Sequence, residues 1–402
     1  MSGIDFSSPA FWEDPFPFYN RLREEAPAVW SEPLQLWMVS RFDDVSAMLE
    51  DPSLSVAYTD AFYLGLPDEM SRRFESFRRA LKTTIVFSDP PEHERMRVLL
   101  RKVLTHKTID RARARAVEVI DDLLAKAVVD GQLDVTRDLA PVLPATVLGE
   151  QIGATHPDDA SKLIRWSRNM LQFLGRLPSD LECAERALQT FDEARAYLRG
   201  LWAEHSVEQE NILSPLLVPA GPEDFLTDDE LVMTCMALLF AGVEAVGNAI
   251  STALVVFSRN PGELERLRRD PSLLPSAIEE VFRHASPVQM TFRLTTKEVE
   301  LGGQRMRPGQ RVALMLAAAN RDPSRFPDPD RFDIGRQDRG HVSLGYGRHF
   351  CTGAVLARQL VAVAVEALLI RRTITRFETD SIEWLPSLVH RGMKELKVSL
   401  AS

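Results

Sequence analysis

The stretch HVSLGYGRHFCTGAVLARQLVAVAVEALL, residues 341–369, decides the fold that this sequence predicts. A strand-like segment passes into a loop containing Gly345 and Gly347, then reaches Cys351 just before Gly353 and a long apolar helix. Glycine permits backbone angles and close approaches that a side chain forbids. A cysteine before a helix is placed to be a thiolate, because unpaired N–H groups and the helix dipole favour negative charge. The loop therefore holds either a functional thiolate or a buried structural cysteine.

Composition is that of an ordinary globular protein. The 402 residues are 45% hydrophobic and 26% charged, with a net charge of −10, which argues against general affinity for nucleic acid or an anionic membrane. Cys183, Cys235 and Cys351 are far apart in the sequence, which argues against disulfides and a structural zinc site. The N-terminus lacks a signal-peptide pattern. We expect a cytoplasmic monomer that binds neither nucleic acid nor membrane.

Helical periodicity dominates the chain, and strand patterns are fewer and clustered. Apolar spacing predicts helices over 15–25, 41–50, 91–104, 108–129, 158–174, 183–204, 228–259, 261–269, 275–284 and 353–371. Strand patterns are an N-terminal hairpin AVW…LQLWMVS, TFRLT at 291–295, a hairpin turning at Gly302 and Gly303, and the C-terminal ELKVSL. No repeat or flexible linker divides the sequence. The prediction is a mainly α fold with a small β region in a single domain, residues 1–402.

One segment is apolar enough to raise the question of a membrane span. From Leu231 to Ser258 there is a single formal charge, Glu244, in 28 residues. Thr227 and Glu230 before it have the spacing of a capping box. A helix that is apolar all round can equally be the buried axis of a large protein. We predict a buried central helix, roughly 50 Å long.

The spacing of the cysteine loop favours the functional thiolate. Five residues at alternate positions carry the pattern: Gly345, Gly347, His349, Cys351 and Gly353. The pattern closely resembles the haem-binding loop of cytochromes P450, F-G-x-G-x-[HR]-x-C-x-G, with Leu344 in place of the initial aromatic residue. This resemblance implies the cytochrome P450 fold and a haem b cofactor. It makes Cys351 the axial ligand of the iron, and a thiolate ligand favours O–O cleavage.

Further signatures follow in the order expected for that family. Glu280 and Arg283 form an E-x-x-R pair on one helical face. The resemblance makes Arg331, in FPDPDRFDIGR, the third member of a Glu–Arg–Arg cluster that steadies the cysteine loop. It also assigns four cations to the two haem propionates: His93, Arg97, Arg293 and His349. The likeness covers essentially the whole chain.

The same resemblance places the central helix across the distal face of the haem. Ala241, Gly242 and Glu244 match the family pattern A-G-x-[DE]-T, but Ala245 stands where most members have threonine. These four are the predicted catalytic residues, and a locally loosened helix is expected to admit water. Glu244 is expected to line that wet space or to pair with polar groups, and the alternative is a bond to nearby backbone. The missing hydroxyl matters because positioned proton transfer contributes a factor of about 100 to 10,000. A substrate hydroxyl with an ordered water is the replacement we favour.

The substrate is expected, again by resemblance, to contact the loop before His93, the central helix, the segment after E-x-x-R and a C-terminal turn. Besides Ala241 and Ala245, the candidate side chains are Phe87, Val288, Gln289, Met290, Thr291, Leu388 and Val389. An apolar lining with few polar groups is usual for small-molecule pockets. Phe87 and Met290 can equally be core residues.

A local reversal of charge suggests where an electron donor binds. Eight basic residues lie between positions 95 and 115, against one acid, Asp110: Arg95, Arg97, Arg101, Lys102, Lys107, Arg111, Arg113 and Arg115. The alternatives are a solvated helix face and a docking patch for an acidic partner, since complementary patches speed association. The family resemblance places this helix on the thiolate side of the haem and favours a ferredoxin.

These patterns predict a haem-thiolate monooxygenase. It would hydroxylate or otherwise oxidise a hydrophobic small molecule of secondary metabolism, with O2 and electrons from a ferredoxin and its ferredoxin reductase. Oxidative aryl or C–C coupling and a peroxide-driven reaction are alternatives that depend less on the missing hydroxyl. A non-catalytic haem-binding protein is the alternative of another class.

Overall fold

Helices dominate the structure, as the apolar spacing predicts. The computed structural model describes residues 8–64, 68–175, 180–203, 216–217, 221, 225–338, 340–371, 374–379 and 382–401. Its main helices are α1 (Pro9–Glu13), α2 (Phe16–Glu25), α3 (Phe42–Glu50), α4 (Asp68–Lys82), α5 (Glu92–Val103), α6 (His106–Asp130), α7 (Val142–Gln151), α8 (Asp159–Leu174), α9 (Leu181–Ala203), α10 (Asp228–Arg259), α11 (Pro261–Arg269), α12 (Leu274–His284), α13 (Leu316–Ala319) and α14 (Ala354–Val365).

The ten predicted helices are present, with ends that differ mostly by one to three residues, and residue 204 of the ninth lies outside the described residues. The last helix ends earlier than predicted, because α14 passes into a π-helical turn at Glu366–Ile370. Four helices were not predicted: α1, α4, α7 and α13. Helix α7 is mostly buried and carries Pro144 in its first turn, so it lacks the alternation of polar and apolar faces on which the prediction depends.

The strands form one main sheet and two small ones. They are β1 (Ala28–Ser31), β2 (Leu36–Val39), β3 (Leu54–Ser55), β4 (Gln132–Asp134), β5 (Thr291–Thr295), β6 (Val299–Leu301), β7 (Gln304–Met306), β8 (Arg311–Leu314), β9 (Ile374–Phe377) and β10 (Lys397–Leu400). The main sheet has the order β1-β2-β8-β5-β3, and its β2–β8 pair is parallel. Both predicted hairpins are present: β1 pairs with β2, and β6 pairs with β7 across Gly302 and Gly303, whose φ values are positive.

The central helix α10 is the buried axis of the fold. Thr227 and Glu230 form the predicted capping box at its start. It packs against α7, α8 and α14. Within the described residues it is the one helix long and apolar enough to cross a membrane, but 67% of its most apolar window is buried inside the protein. The helix is continuous from Asp228 to Arg259, so the predicted local loosening near Gly242 is wrong.

Candidate functional site

The cysteine loop is held in shape by its own backbone. Gly345 and Gly347 have φ values of 74° and 68°, in the left-handed region that a side chain disfavours. The N–H of Cys351 donates to the carbonyl of Leu344 at 2.8 Å. A Cβ added at Gly347 would lie 2.7 Å from Cγ of Glu50. Glycine at this position is therefore required both by the backbone angle and by the neighbouring helix α3.

Two electrostatic effects act on the thiol of Cys351 in opposite directions. Burial raises its pKa, and the N–H of Gly353 and the charges of Arg358 and Arg97 oppose that rise. A metal ion bound to a thiol favours its deprotonated form. The surroundings of Cys351 thus combine a dry site with donors and cations suited to an anionic sulfur, as the sequence pattern predicts.

Buried cations meet beside this loop. The rings of His93 and His349 lie 4.2 Å apart. Burial, together with the charges of His93 and Arg293, lowers the pKa of His349 to about 3. The pKa of His93 is also lowered, first by burial and then by Arg97 and Arg348. The structure thus brings together two arginines and two histidines, the four residues that the family resemblance assigns to propionates.

A cavity of about 280 Å³ opens next to these cations, with Arg293, Arg348 and His349 in its wall. Three carboxylates also line it, those of Glu50, Asp51 and Asp89. Asp51 already accepts from Ser53, and Asp89 accepts from Ser55 and from the N–H of Val56. No described carboxylate forms an ion pair with Arg293 or Arg348. Two arginines without an ion-pair partner among the described carboxylates, at the wall of this cavity, fit a group that carries anions, such as the propionates of haem.

An unsatisfied atom supports the same fit. Nδ1 of His93 is buried without a hydrogen-bond partner among the described residues, and such groups usually have one. Arg97 is arranged differently from the prediction, because it donates to the carbonyl of Phe350 at 2.8 Å and lies 3.4 Å from the hydroxyl of Thr352. It therefore clamps the cysteine loop. Arg348 is the additional cation that the wall of the cavity contains.

The Glu–Arg–Arg cluster exists, but its third member differs from the prediction. Nε of Arg283 donates to Glu280 at 2.7 Å, and Nε of Arg336 lies 3.3 Å from the same carboxylate. The side chain of Arg331 is 64% exposed and lies 3.7 Å from Asp333. The prediction of Arg331 is therefore wrong. The chain turns after the PDPDRF segment and brings Arg336 back to Glu280. Arg336 also donates to two carbonyls of that turn, and these hydrogen bonds hold its side chain in place.

A second polar network anchors the start of the cysteine loop. Asn320 donates to the hydroxyls of Ser286 and Ser343 at 2.8 and 2.6 Å, and its carbonyl accepts from the N–H of Val342 at 2.8 Å. Asn320 and Ser286 are fully buried. The sequence analysis missed this network, because single polar residues separated by 22 to 34 positions carry no local pattern. A buried Asn is expected to be fully hydrogen-bonded, and this one is a positioning residue for the loop.

The middle of the central helix leaves one face uncovered. Ala241, Ala245 and Asn248 are spaced three and four residues apart and are partly or fully exposed, whereas Val243 and Val246 are buried. Residues at this spacing share a helix face. An uncovered face in the middle of an otherwise buried helix indicates space for a ligand there. Ala241 and Ala245 thus lie where the sequence predicts the distal site.

Glu244 and Gly242 serve this segment in different ways. Nε of Arg168, on α8, donates to Oε1 of Glu244 at 3.0 Å, so the carboxylate pairs with a side chain and the alternative of a bond to nearby backbone is wrong. Arg168 was not predicted. A Cβ at Gly242 would overlap Leu148 of α7. The absence of a side chain at Gly242 therefore serves helix packing rather than space beside a cofactor.

Some of the predicted substrate contacts are structural instead. Gln289 accepts from the hydroxyl of Tyr19 at 3.2 Å and donates to the carbonyl of Ser286 at 2.6 Å, so its amide is already occupied. Met290 is 1% exposed in a core cluster with Tyr19. Phe87 lies in the main core. The substrate predictions for these three residues are wrong, because their side chains are occupied by contacts within the protein core.

The remaining predicted contacts lie around one strand and one turn. The N–H of Gln289 donates to the carbonyl of Val389 at 2.7 Å, and Val288 forms a β-bridge with His390, so the C-terminal turn with Leu388 lies against the segment after E-x-x-R. Thr291 is two residues from Arg293 on the same strand, and alternate strand residues share a face. Val288, Thr291, Leu388 and Val389 remain predicted substrate contacts.

The predicted basic patch is smaller than its sequence suggests. Arg95 pairs with Glu230, Arg97 binds the cysteine loop, and Arg115 pairs with Glu118 and Glu150. Five further basic residues on α5 and α6 are exposed: Arg101, Lys102, Lys107, Arg111 and Arg113. Helix α6 packs against α14, so these residues lie on the same side of the protein as the cysteine loop.

A mainly α fold, a cysteine loop at the start of α14 and buried cations around a cavity are the features of the haem-thiolate proteins as a class. The sequence model of the family described as Cytochrome P450 matches residues 66–383. The chain belongs to the cytochrome P450 family and has its fold in a single domain.

Relatives and solved structures agree with this assignment. The chain is 35% identical to cytochrome P450 monooxygenase PikC of Streptomyces venezuelae, over 98% of this chain and 92% of that protein. It is 33% identical to 6-deoxyerythronolide B hydroxylase of Saccharopolyspora erythraea, over 98% of both. The crystal structure of P450BioI in complex with an acyl carrier protein ligated to hexadec-9Z-enoic acid matches with a TM-score of 0.89 and 29% identity, over 98% of this chain and 100% of that one.

The family membership fixes the general chemistry. The relatives are named as monooxygenases or hydroxylases, and the chain is accordingly an oxidoreductase that incorporates oxygen. The family requires a haem cofactor, and the cavity, the unpaired cations and the orphaned Nδ1 of His93 fit one.

Proposed function

We propose that this P450 monooxygenase hydroxylates a hydrophobic secondary metabolite that itself carries a hydroxyl group near the oxidised carbon. The uncovered face of α10 carries the proposal: it presents Ala245 where a threonine hydroxyl is usual, while Glu244 is held to the side by Arg168. A substrate hydroxyl and an ordered water then complete the proton path. The macrolide-type relatives PikC and 6-deoxyerythronolide B hydroxylase support this substrate class.

The cofactor in this proposal is haem b. When bound, haem supplies the O2 and one-electron chemistry that amino-acid side chains lack. Cys351 would hold it from the loop, Arg293 and Arg348 would neutralise its propionates, and His93 and His349 would offer them hydrogen bonds. Arg97 and Asn320 keep the loop in place through hydrogen bonds to its backbone and flanking residues.

The chain's own residues have separate roles at the distal face. Ala241 and Ala245 leave space for substrate above the cofactor, and the surrounding apolar side chains exclude bulk water. Glu244 is partly exposed and paired with the half-exposed Arg168, which gives it access to solvent on one side and to the site on the other. It is placed to hold and pass a proton to an ordered water beside the substrate.

The electron donor in this proposal is a ferredoxin, served by its reductase in the cytoplasm. The five exposed basic residues of α5 and α6 attract an acidic protein. Four exposed apolar side chains lie next to them around the cysteine loop and α5: Val98, Tyr346, Phe350 and Val355. An apolar centre beside a charged rim is the usual anatomy of a protein interface.

Ionic strength provides the test of that surface. We expect Arg113→Glu to lower the rate of haem reduction by a ferredoxin several-fold at low salt and much less at high salt, because salt screens exposed charges. Arg137→Glu, at an exposed ion pair with Asp138 outside this surface, is the control. Equal rates for both variants at low salt would count against the docking surface.

An optical titration of the ferric protein tests the substrate class. A ligand that enters above the haem displaces water and shifts the Soret band toward high spin. Candidate macrolides, other polyketides, cyclic dipeptides and terpenoids should be added free and carrier-bound, each macrolide together with its deoxy analogue. We expect both members of the effective pair to bind, but only the hydroxylated one to be oxidised with good coupling to NAD(P)H consumption. Equal coupling for the deoxy analogue would contradict the substrate-hydroxyl mechanism.

A further inference from the structure

A cluster of three charged or titratable side chains lies behind the cysteine loop, separate from the Glu280 cluster. Glu279, on α12, accepts from Arg358 through Nε at 2.6 Å and Nη2 at 2.9 Å. Nε2 of His341 lies 3.2 Å from the same carboxylate. The side chain of His341 is 2% exposed and that of Glu279 is 16% exposed. The bidentate geometry and the burial make this one of the stronger ion pairs of the protein.

The hydrogen bonds fix the state of His341. Its Nδ1 accepts from the N–H of Ser343 at 3.3 Å, so Nε2 carries the proton that is donated to Glu279. The ring also stacks on Phe282, with centroids 6.2 Å apart and planes at 28°. His341 is therefore an oriented donor, and the Glu279–Arg358 pair carries no net charge.

This cluster joins the segment before the cysteine loop to the segment after it. His341 lies ten residues before Cys351 and Arg358 lies seven residues after it. Glu279 binds both and belongs to a third element. The neighbouring Glu280 faces Arg283 and Arg336 instead, so two successive glutamates of α12 hold two different parts of the structure.

The cluster also acts on the sulfur through charge. Nη1 of Arg358 lies 3.5 Å from the carbonyl of Ala354, three residues after Cys351, so its positive charge lies close to the loop that holds the sulfur. Glu279 partly cancels that charge, because its carboxylate lies directly against the guanidinium. Charge and hydrogen bonding near a thiolate ligand are among the means by which a protein sets the properties of haem iron.

We propose that Glu279 and Arg358 are positioning residues that set the reduction potential of the haem by opposite effects on the Cys351 ligand. With haem bound, Arg358 would favour the added negative charge of the reduced state, and Glu279 would limit that effect. The inference rests on the proposed assignment of Cys351 as the haem ligand.

The test is a charge series at fixed geometry: Glu279→Gln, Arg358→Gln and the double variant, in the holoenzyme. Anaerobic redox titration measures the ratio of ferrous to ferric haem at a given potential. We expect Glu279→Gln to raise that ratio about tenfold and Arg358→Gln to lower it by a similar factor, as expected for one charge at moderate distance. The double variant should lie between the two. Glu263→Gln, in an ion pair with Arg266 outside the cluster, should leave the ratio unchanged.

A merely structural role predicts a different result. If the cluster only holds the loop, both single variants should lose haem or thiolate ligation and shift the potential in the same direction. A shift in the same direction, or no shift, would overturn the proposal. The ferrous–CO spectrum of the wild-type protein separates this outcome from failure of the ligand assignment, since a spectrum without the signature of thiolate ligation would contradict Cys351 itself.

Discussion

Nε of Arg168 donates to Oε1 of Glu244 at 3.0 Å, and this ion pair joins α8 to the midpoint of the central helix α10. The arginine is 51% exposed and the carboxylate 21% exposed. A carboxylate in an apolar helix is costly unless it is solvated or paired. The pair therefore explains how Glu244 is tolerated beside the predicted distal site, and it connects that site to the surface.

Replacing Arg168 tests the role of this pair. We expect Arg168→Gln to reduce coupling of NAD(P)H consumption to product by about tenfold, because Glu244 loses the partner that orients it for proton transfer. The free energy of unfolding should change by less than about 1 kcal/mol, as is usual for exposed ion pairs. Product yield per NAD(P)H and urea denaturation are the measurements.

The same helix provides the control for this prediction. Arg165 is also 51% exposed and pairs with Glu193 rather than with the central helix. Arg165→Gln should match Arg168→Gln in stability and leave coupling unchanged. Similar losses of coupling in both variants would show that the effect comes from α8 as a whole.

Restoring the family hydroxyl tests the proposed mechanism. With the deoxy analogue, Ala245→Thr should raise coupling by about tenfold or more, because the protein then supplies the group that the analogue lacks. With the hydroxylated substrate the variant should show no gain, since two groups compete for one place. Ala245→Val is the control for size. If Ala245→Thr gives no gain with the analogue, proton delivery does not depend on a hydroxyl at this position.

The two arginines after PDPD differ in their expected importance. Arg336→Ala should lower the free energy of unfolding by about 2 kcal/mol or more, because the buried carboxylate of Glu280 loses a charged donor. Arg331→Ala should change it by no more than about 0.5 kcal/mol, because that side chain is mainly exposed and the backbone carbonyl that Arg283 binds is kept in the variant. Urea denaturation and haem retention distinguish them, and the reverse order would restore the family-based assignment of Arg331.

The glycines of the cysteine loop are not equivalent. Gly347→Ala should destabilise the protein by about 1 to 2 kcal/mol, since alanine disfavours a φ of 68°, and its Cβ would also press on Glu50. Gly353 has a φ of −87° and no neighbouring atom within 4 Å of an added Cβ. Gly353→Ala should therefore fold normally. Thermal unfolding of the two apoproteins compares them, and equal losses would contradict the distinction.

Because of Glu279, we expect the free energy of unfolding to depend on pH in the acid range. Burial opposes its ionisation, but hydrogen bonds from His341 and Arg358 outweigh burial and lower its pKa to about 2, below the usual value of about 4.3. A lowered pKa stabilises the folded state above the unfolded pKa, and that contribution is lost as the pH falls toward 2. The stability difference between wild type and Glu279→Gln should thus shrink from pH 5 to pH 3, as measured by urea denaturation. A constant difference would show that the charge of Glu279 does not contribute.

Local patterns in the sequence were sufficient for much of this description. The capping box, the two hairpins and most helices depend on neighbours in the chain, so they could be predicted with small errors at their ends. The family was identified from the spacing around Cys351 together with E-x-x-R, and the comparisons confirm it. The substrate predictions were weaker. Gln289 and Met290 lie in the segment from which substrate contacts were expected, but their side chains contact other core residues instead.

The sequence by itself determined the position of the cysteine loop, the central helix and the missing hydroxyl at Ala245, because each is a property of consecutive residues. The tertiary structure alone decided which distant side chains meet: Arg168 with Glu244, Arg336 with Glu280, and Glu279 with both His341 and Arg358. Burial is the physical reason. A carboxylate removed from water must be paired by whichever cation the packing of helices brings within reach, and sequence separation does not limit that choice.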